Sequence, residues 1–144
     1  MRHVSFIYKK KKCTLLFNCL AMLELQDKFG GINDLVDVIY NRKTGKNGKS
    51  EKITDDVEAF NFLCEIIEVL SEQSSNAKAA MDFERPEILR AAKLSALTSP
   101  TEIGLLRQAA FSAIEHGIMQ ETDDDESDID LGLLELQKKT GKAK

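Results

Sequence analysis

Tryptophan is absent from this chain and proline occurs only at positions 86 and 100. A β-sandwich with many turns needs more chain-breaking residues than that, so the composition favours helices. No apolar run approaches the about 18 residues that suggest a membrane span, and the short apolar start runs directly into Lys9 to Lys12, unlike a secretory signal. A cytosolic protein is therefore expected. Cysteine is scarce and odd in number: Cys13, Cys19 and Cys64 have no metal-ligand spacing, and each sits in an apolar pattern. All three are expected to be reduced and buried, because a thiol in such a setting behaves as a small hydrophobe. Histidine occurs twice, and His116 falls at a helix C-terminus, where a partly positive side chain is favourable. No nucleophile, base and orienting group can be brought together from sequence, so no catalytic, metal or cofactor-binding residue is assigned.

What is present points to one domain's worth of chain. A length of 144 residues suffices to bury about 68–70% of the surface that the unfolded chain exposes. The formal charge of −4 is modest, but basic residues gather at Lys9 to Lys12 and Arg42 to Lys52, and acidic ones at Glu121 to Asp130. His3 to Tyr8 and Cys13 to Phe17 are rich in β-branched, aromatic and aliphatic residues and flank a four-lysine loop, which predicts a β-hairpin. Two strands are marginal alone, so the hairpin must pack on something, and the helix that follows is the nearest candidate.

That helix is the stretch around which the chain is organised. Asn18 is a good N-cap, Leu20, Met22, Leu23, Leu25 and Phe29 form a broad apolar stripe, and Gly30 and Gly31 end it. Phe17, Leu23 and Phe29 are expected in the core. A second short helix begins near Asn33, carries Leu35, Val36, Val38 and Ile39, and fades at Asn41. The next segment ends in Gly-Lys-Ser at positions 48–50, like a phosphate-binding loop, but Lys43 stands where that motif requires its first glycine. A basic, flexible surface loop is expected instead.

Thr54 with Asp55 and Asp56 marks a helix start, and Val57, Phe60, Leu63, Cys64, Ile67 and Leu70 give a long core face that runs out at Ser74 to Asn76. Residues 77 to 85 carry little periodicity. Pro86 suits the first turn of a helix burying Ile88, Leu89, Ala92 and Ala96. Ser99, Pro100, Thr101 and Glu102 form a capping box opening a helix that ends at Gly117, with Ile103, Leu106, Ala110 and Ala113 on one face.

The run ETDDDESD at 121–128 repels itself and buries nothing, so it reads as a solvated linker separating a compact domain, 1–120, from a tail, 121–144. The tail returns to apolar residues. A helix carrying Ile129, Leu131, Leu133, Leu134 and Leu136 is expected there, and at about ten residues it is marginal alone. These leucines need a surface, either on the parent domain or on another chain, and they are nominated as partner-binding residues in the manner of a helix laid in a groove. The fold class is thus mostly α: an N-terminal β-hairpin, a bundle of about five helices, an acidic linker and a short C-terminal helix.

Leu20, Leu23, Glu24, Lys28, Phe29, Gly30 and Gly31, preceded by a short strand and a charged turn, resemble the opening helix of tail assembly chaperones from long-tailed bacteriophages and phage-like elements. The resemblance implies a non-enzymatic protein that coats the tape-measure protein, helps bring tail-tube subunits to it, self-associates in the host cytoplasm and is absent from the mature virion. It implies no cofactor and no membrane. The competing expectation is a small helical regulatory or nucleic-acid-binding protein using its basic loops, against which net acidity and the lack of interleaved aromatic residues weigh.

Overall fold

The computed structural model describes residues 3–45, 48–119 and 129–130. Strands β1 (Val4–Tyr8) and β2 (Lys11–Leu15) pair antiparallel, with Val4 opposite Leu15 and Tyr8 opposite Lys11. The turn is Lys9 and Lys10 alone, not all four lysines. Both are left-handed, φ 52° and 66°, which matches the two-residue turns whose twist fits a hairpin. Lys11 and Lys12 therefore belong to the strand.

Helix α1 (Cys19–Phe29) follows, and its Asn18 side chain accepts from the Ala21 N–H at 2.9 Å. Ala21 and Leu25 are buried, whereas Leu20 and Leu23 are 52% and 53% exposed. The apolar stripe is wider than the face that the body covers, so the expectation that Leu23 is core fails while Phe17 is buried and Phe29 half-buried. Gly30 takes φ 103° at the helix end. Helix α2 (Ile32–Tyr40) starts with the Gly31 N–H donating to Asp34 Oδ2 at 3.1 Å and closes on a left-handed Asn41.

The basic stretch after it is ordered pairing rather than plain loop: β3 (Arg42–Thr44) and β4 (Ser50–Lys52) form a small antiparallel hairpin. Buried Asn41 clamps its base, donating to the Thr54 carbonyl at 2.9 Å and accepting from the Thr54 N–H at 3.1 Å.

Helix α3 (Asp56–Ala80) is capped by Asp55, one residue after the expected Thr54. It passes through Ser74 and Ser75, both buried, instead of stopping there. Val57 is 73% exposed, outside the core face that Leu63, Cys64, Ile67 and Leu70 build. Residues 83–90 then form neither helix nor strand, and helix α4 spans only Ala91–Leu97, later than Pro86 suggested. The reason lies in α3: Ser71 Oγ accepts from the Leu89 N–H at 2.8 Å and Glu68 Oε1 from the Ala91 N–H at 3.1 Å. Those side chains satisfy backbone donors without a helix. Leu89 and Leu94 are consequently buried, while Ala92 and Ala96 are exposed.

The Ser99–Glu102 capping box forms as expected, with the Ser99 N–H donating to Glu102 Oε1 at 2.8 Å across a single 3-10 turn. Helix α5 (Ile103–Ile118) continues one residue beyond Gly117 and buries Leu106, Ala110, Ala113 and Ile114. Ile129–Asp130, expected in the tail helix, pairs instead as a short strand β5, parallel to β1, with Val4 opposite Ile129. The sheet order is β2-β1-β5. Five helices and the hairpin thus share one core, in which Leu15, Leu25, Ile67, Leu70, Leu94 and Leu106 are almost wholly buried.

Candidate functional site

The tight turn between β1 and β2 decides which side chains face together. Directly opposed residues share a face of an antiparallel pair, so Tyr8 with Lys11 and Phe6 with Cys13 lie on one side of the hairpin. The irregular segment 83–90 and α4 stand opposite, with Lys93 and Leu97 one turn apart on the same helix face. Between them lies a cleft of about 370 Å³ lined by Tyr8, Lys9, Lys11, Cys13, Glu87, Leu89, Lys93 and Leu97.

Polar contacts fix its walls. The Tyr8 hydroxyl and Thr98 Oγ1 lie 2.8 Å apart, and Lys9 Nζ meets Glu102 Oε1 at 2.9 Å. Glu87 sits between two ammonium groups, Lys93 at 3.0 Å and Lys11 at 3.6 Å. The hydrogen bond from Lys93, then the Lys11 charge, holds the Glu87 carboxyl below its ordinary value. On the floor, Cys13 Sγ is 3.7 Å from the Lys11 carbonyl oxygen; burial first, then the Glu87 charge, pushes its thiol up. A thiol held protonated is a poor nucleophile. The apolar floor and the lysines at its edge suit an apolar group flanked by negative charge.

Cys64 is likewise buried, and burial pushes its thiol up to about 11. Cys19, expected in the core, is exposed; it stands at the first position of α1, on the uncovered side. All three are free thiols. His116 Nδ1 lies 2.7 Å from the Ser112 carbonyl oxygen in the last turns of α5, the helix-end setting expected for it. The Gly-Lys-Ser stretch belongs to the β3–β4 tip, where the Gly45 N–H donates to the Lys49 carbonyl oxygen at 2.7 Å and the Gly48 N–H to the Gly45 carbonyl oxygen at 3.0 Å. It does not link a strand to a helix N-terminus, which a phosphate-binding loop requires.

Several cations of the two basic stretches are engaged within the molecule. Lys9 and Lys11 pair as described, and Lys52 pairs with Asp56 at 3.1 Å. The nominated Leu131, Leu133, Leu134 and Leu136 lie outside the described residues. Sequence reasoning missed the cleft because half of its wall comes from residues 87–97, read as a helix burying the wrong face. Among the described residues no group of three or more His, Cys, Asp or Glu side chains could hold a metal ion, and no helix is long and apolar enough to cross a membrane. No known protein family, curated protein or solved structure matches the chain.

Proposed function

We propose that this protein is a non-enzymatic assembly chaperone of the kind found in long-tailed bacteriophages, working in the host cytoplasm. It holds the tape-measure protein through apolar helical contacts, self-associates along it, and helps recruit tail-tube subunits. The observation that carries the reading is the two-sided character of α1. Ala21 and Leu25 fasten the helix to the body, while Leu20 and Leu23, one turn apart, face outward within the same stretch that carries the family resemblance. Exposed leucines at helical spacing are the anchors by which one amphipathic helix receives another.

The test is co-expression of the full chain with the long helical product of the neighbouring gene, followed by affinity capture at moderate salt. The double variant Leu20→Ser/Leu23→Ser changes only exposed side chains, so it should fold with an unaltered circular dichroism spectrum. It should also recover at least about tenfold less partner. Failure of the unaltered chain to recover any partner would sink the chaperone reading; equal recovery by the variant would remove α1 as its binding face.

A further inference from the structure

The cleft between the hairpin and α4 carries an anion position that the chain itself fills. Glu87 spans the mouth with one oxygen toward each wall: Oε1 lies 3.6 Å from Lys11 Nζ on β2, and Oε2 lies 3.0 Å from Lys93 Nζ on α4. Two ammonium groups thus bracket a single carboxylate. Lys9, the remaining lysine of the lining, is matched by Glu102 at 2.9 Å. With Lys9 and Glu102 cancelling, Lys11 and Lys93 face Glu87 alone, which leaves one positive charge in excess at the mouth. Glu87 is not locked in place. Its side chain is 52% exposed, and ion pairs so open to water are weak, so another carboxylate can take its position.

Below the mouth the lining is apolar, and the polar groups close to it are engaged. Cys13 and Leu89 are buried, while Leu97 stands exposed on the rim. The Leu89 N–H donates to Ser71 Oγ, and the Tyr8 hydroxyl pairs with Thr98 Oγ1. A peptide inserted here would bury amide groups against surfaces that do not answer them, which weakens binding. An alkyl chain has no such groups. At about 370 Å³ the cleft is at the small end of ligand pockets, a size for a chain of about eight to ten carbons rather than for a long-chain lipid.

We propose that this cleft binds a free medium-chain monocarboxylate, its alkyl chain along Cys13, Leu89 and Leu97 and its carboxylate between Lys11 and Lys93 in the place of Glu87. The single negative charge of the ligand cancels the excess at the mouth, and Glu87 turns to solvent. Glu87 is then an internal competitor: it holds the two ammonium groups in position before the ligand arrives and lowers affinity until it is displaced. The site shares no residue with the outward face of α1, so it stands or fails apart from the assembly reading.

Titration of the ¹⁵N-labelled full chain with decanoate, kept below its micelle-forming concentration and followed by amide chemical shifts, tests it. Saturable shifts centred on Tyr8, Cys13, Leu89 and Lys93 are expected. Decanol, of the same chain length but uncharged, should bind about tenfold more weakly. Lys93→Gln should weaken decanoate binding about threefold and Glu87→Gln should strengthen it about threefold, since one removes a partner of the head group and the other removes its competitor. Both side chains are about half exposed, so both variants should keep the circular dichroism spectrum of the unaltered chain. Shifts that fail to saturate, or that centre on α1, would overturn the proposal, as would equal affinity for decanol or weaker binding by Glu87→Gln. Tighter binding of acetyl-trileucine with its free carboxylate than of decanoate would overturn it too, by assigning the cleft to the end of a peptide.

Discussion

Gly117 lies inside the last turn of α5, where a Cβ would sit 2.4 Å from the Phe17 carbonyl oxygen and 2.8 Å from the Phe17 Cβ. From sequence it reads as a helix stop; in the fold it is a contact point that lets α5 press against the link between β2 and α1. Alanine there would gain up to about 1 kcal/mol of helix propensity. Backbone stands in the way, however, and overpacking of that sort costs about 1–3 kcal/mol. Gly117→Ala should therefore lower the urea midpoint with the denaturant slope unchanged, and a raised midpoint would show that α5 can shift freely. Local chemistry was legible at this scale: Asn18 and Ser99 cap helices as their neighbours in sequence dictate. Leu23 and Val57 were not legible, because an apolar stripe does not tell which part of its width another element will cover.

At the scale of elements, α3 is the beam on which the others hang, and its buried serines do much of the holding. Ser74 Oγ donates to Thr14 Oγ1 of β2 at 2.7 Å, the Leu16 N–H donates to the Leu70 carbonyl oxygen at 3.0 Å, and Ser71 Oγ accepts from the Leu89 N–H. Serine is a poor interior helix residue because its hydroxyl competes for nearby backbone, so the sequence reads as ending there. Partners 18 to 60 residues away give these hydroxyls other bonds, and the helix runs on to Ala80. Such partners are invisible to a local reading, which is also why the start of α4 was misplaced. Ser71→Ala leaves the Leu89 N–H buried without its acceptor, a loss of about 1–3 kcal/mol. The Leu89 amide should exchange faster with solvent than in the unaltered chain, and the cleft wall should loosen with it. Unchanged exchange at Leu89 would mean that residues 83–90 are held by packing alone.

For the whole molecule, the decisive question is how much the chain beyond α5 contributes to a body that already owns its core. Every residue of the described core lies between Val4 and Ile114, and β5 adds two residue pairs to one edge of β1. The acidic run suggests a division in sequence; the return of Ile129 and Asp130 to the sheet was not visible, since two residues amid carboxylates carry no strand pattern. Net hydrogen-bond contributions of about 0.5–1.5 kcal/mol each put the edge pairing at a few kcal/mol, below the whole stability of a domain this size. A chain ending at Gln120 should then unfold in one cooperative urea transition, at a lower midpoint. Faster amide exchange should be confined to β1, with α3 protected as before. The opposite result, a broad transition with α3 exchanging freely, would make the tail part of the core. Cooperative folding combined with loss of partner capture would instead place the binding role beyond residue 120, which the α1 variant, intact in its tail, separates from a role for Leu20 and Leu23.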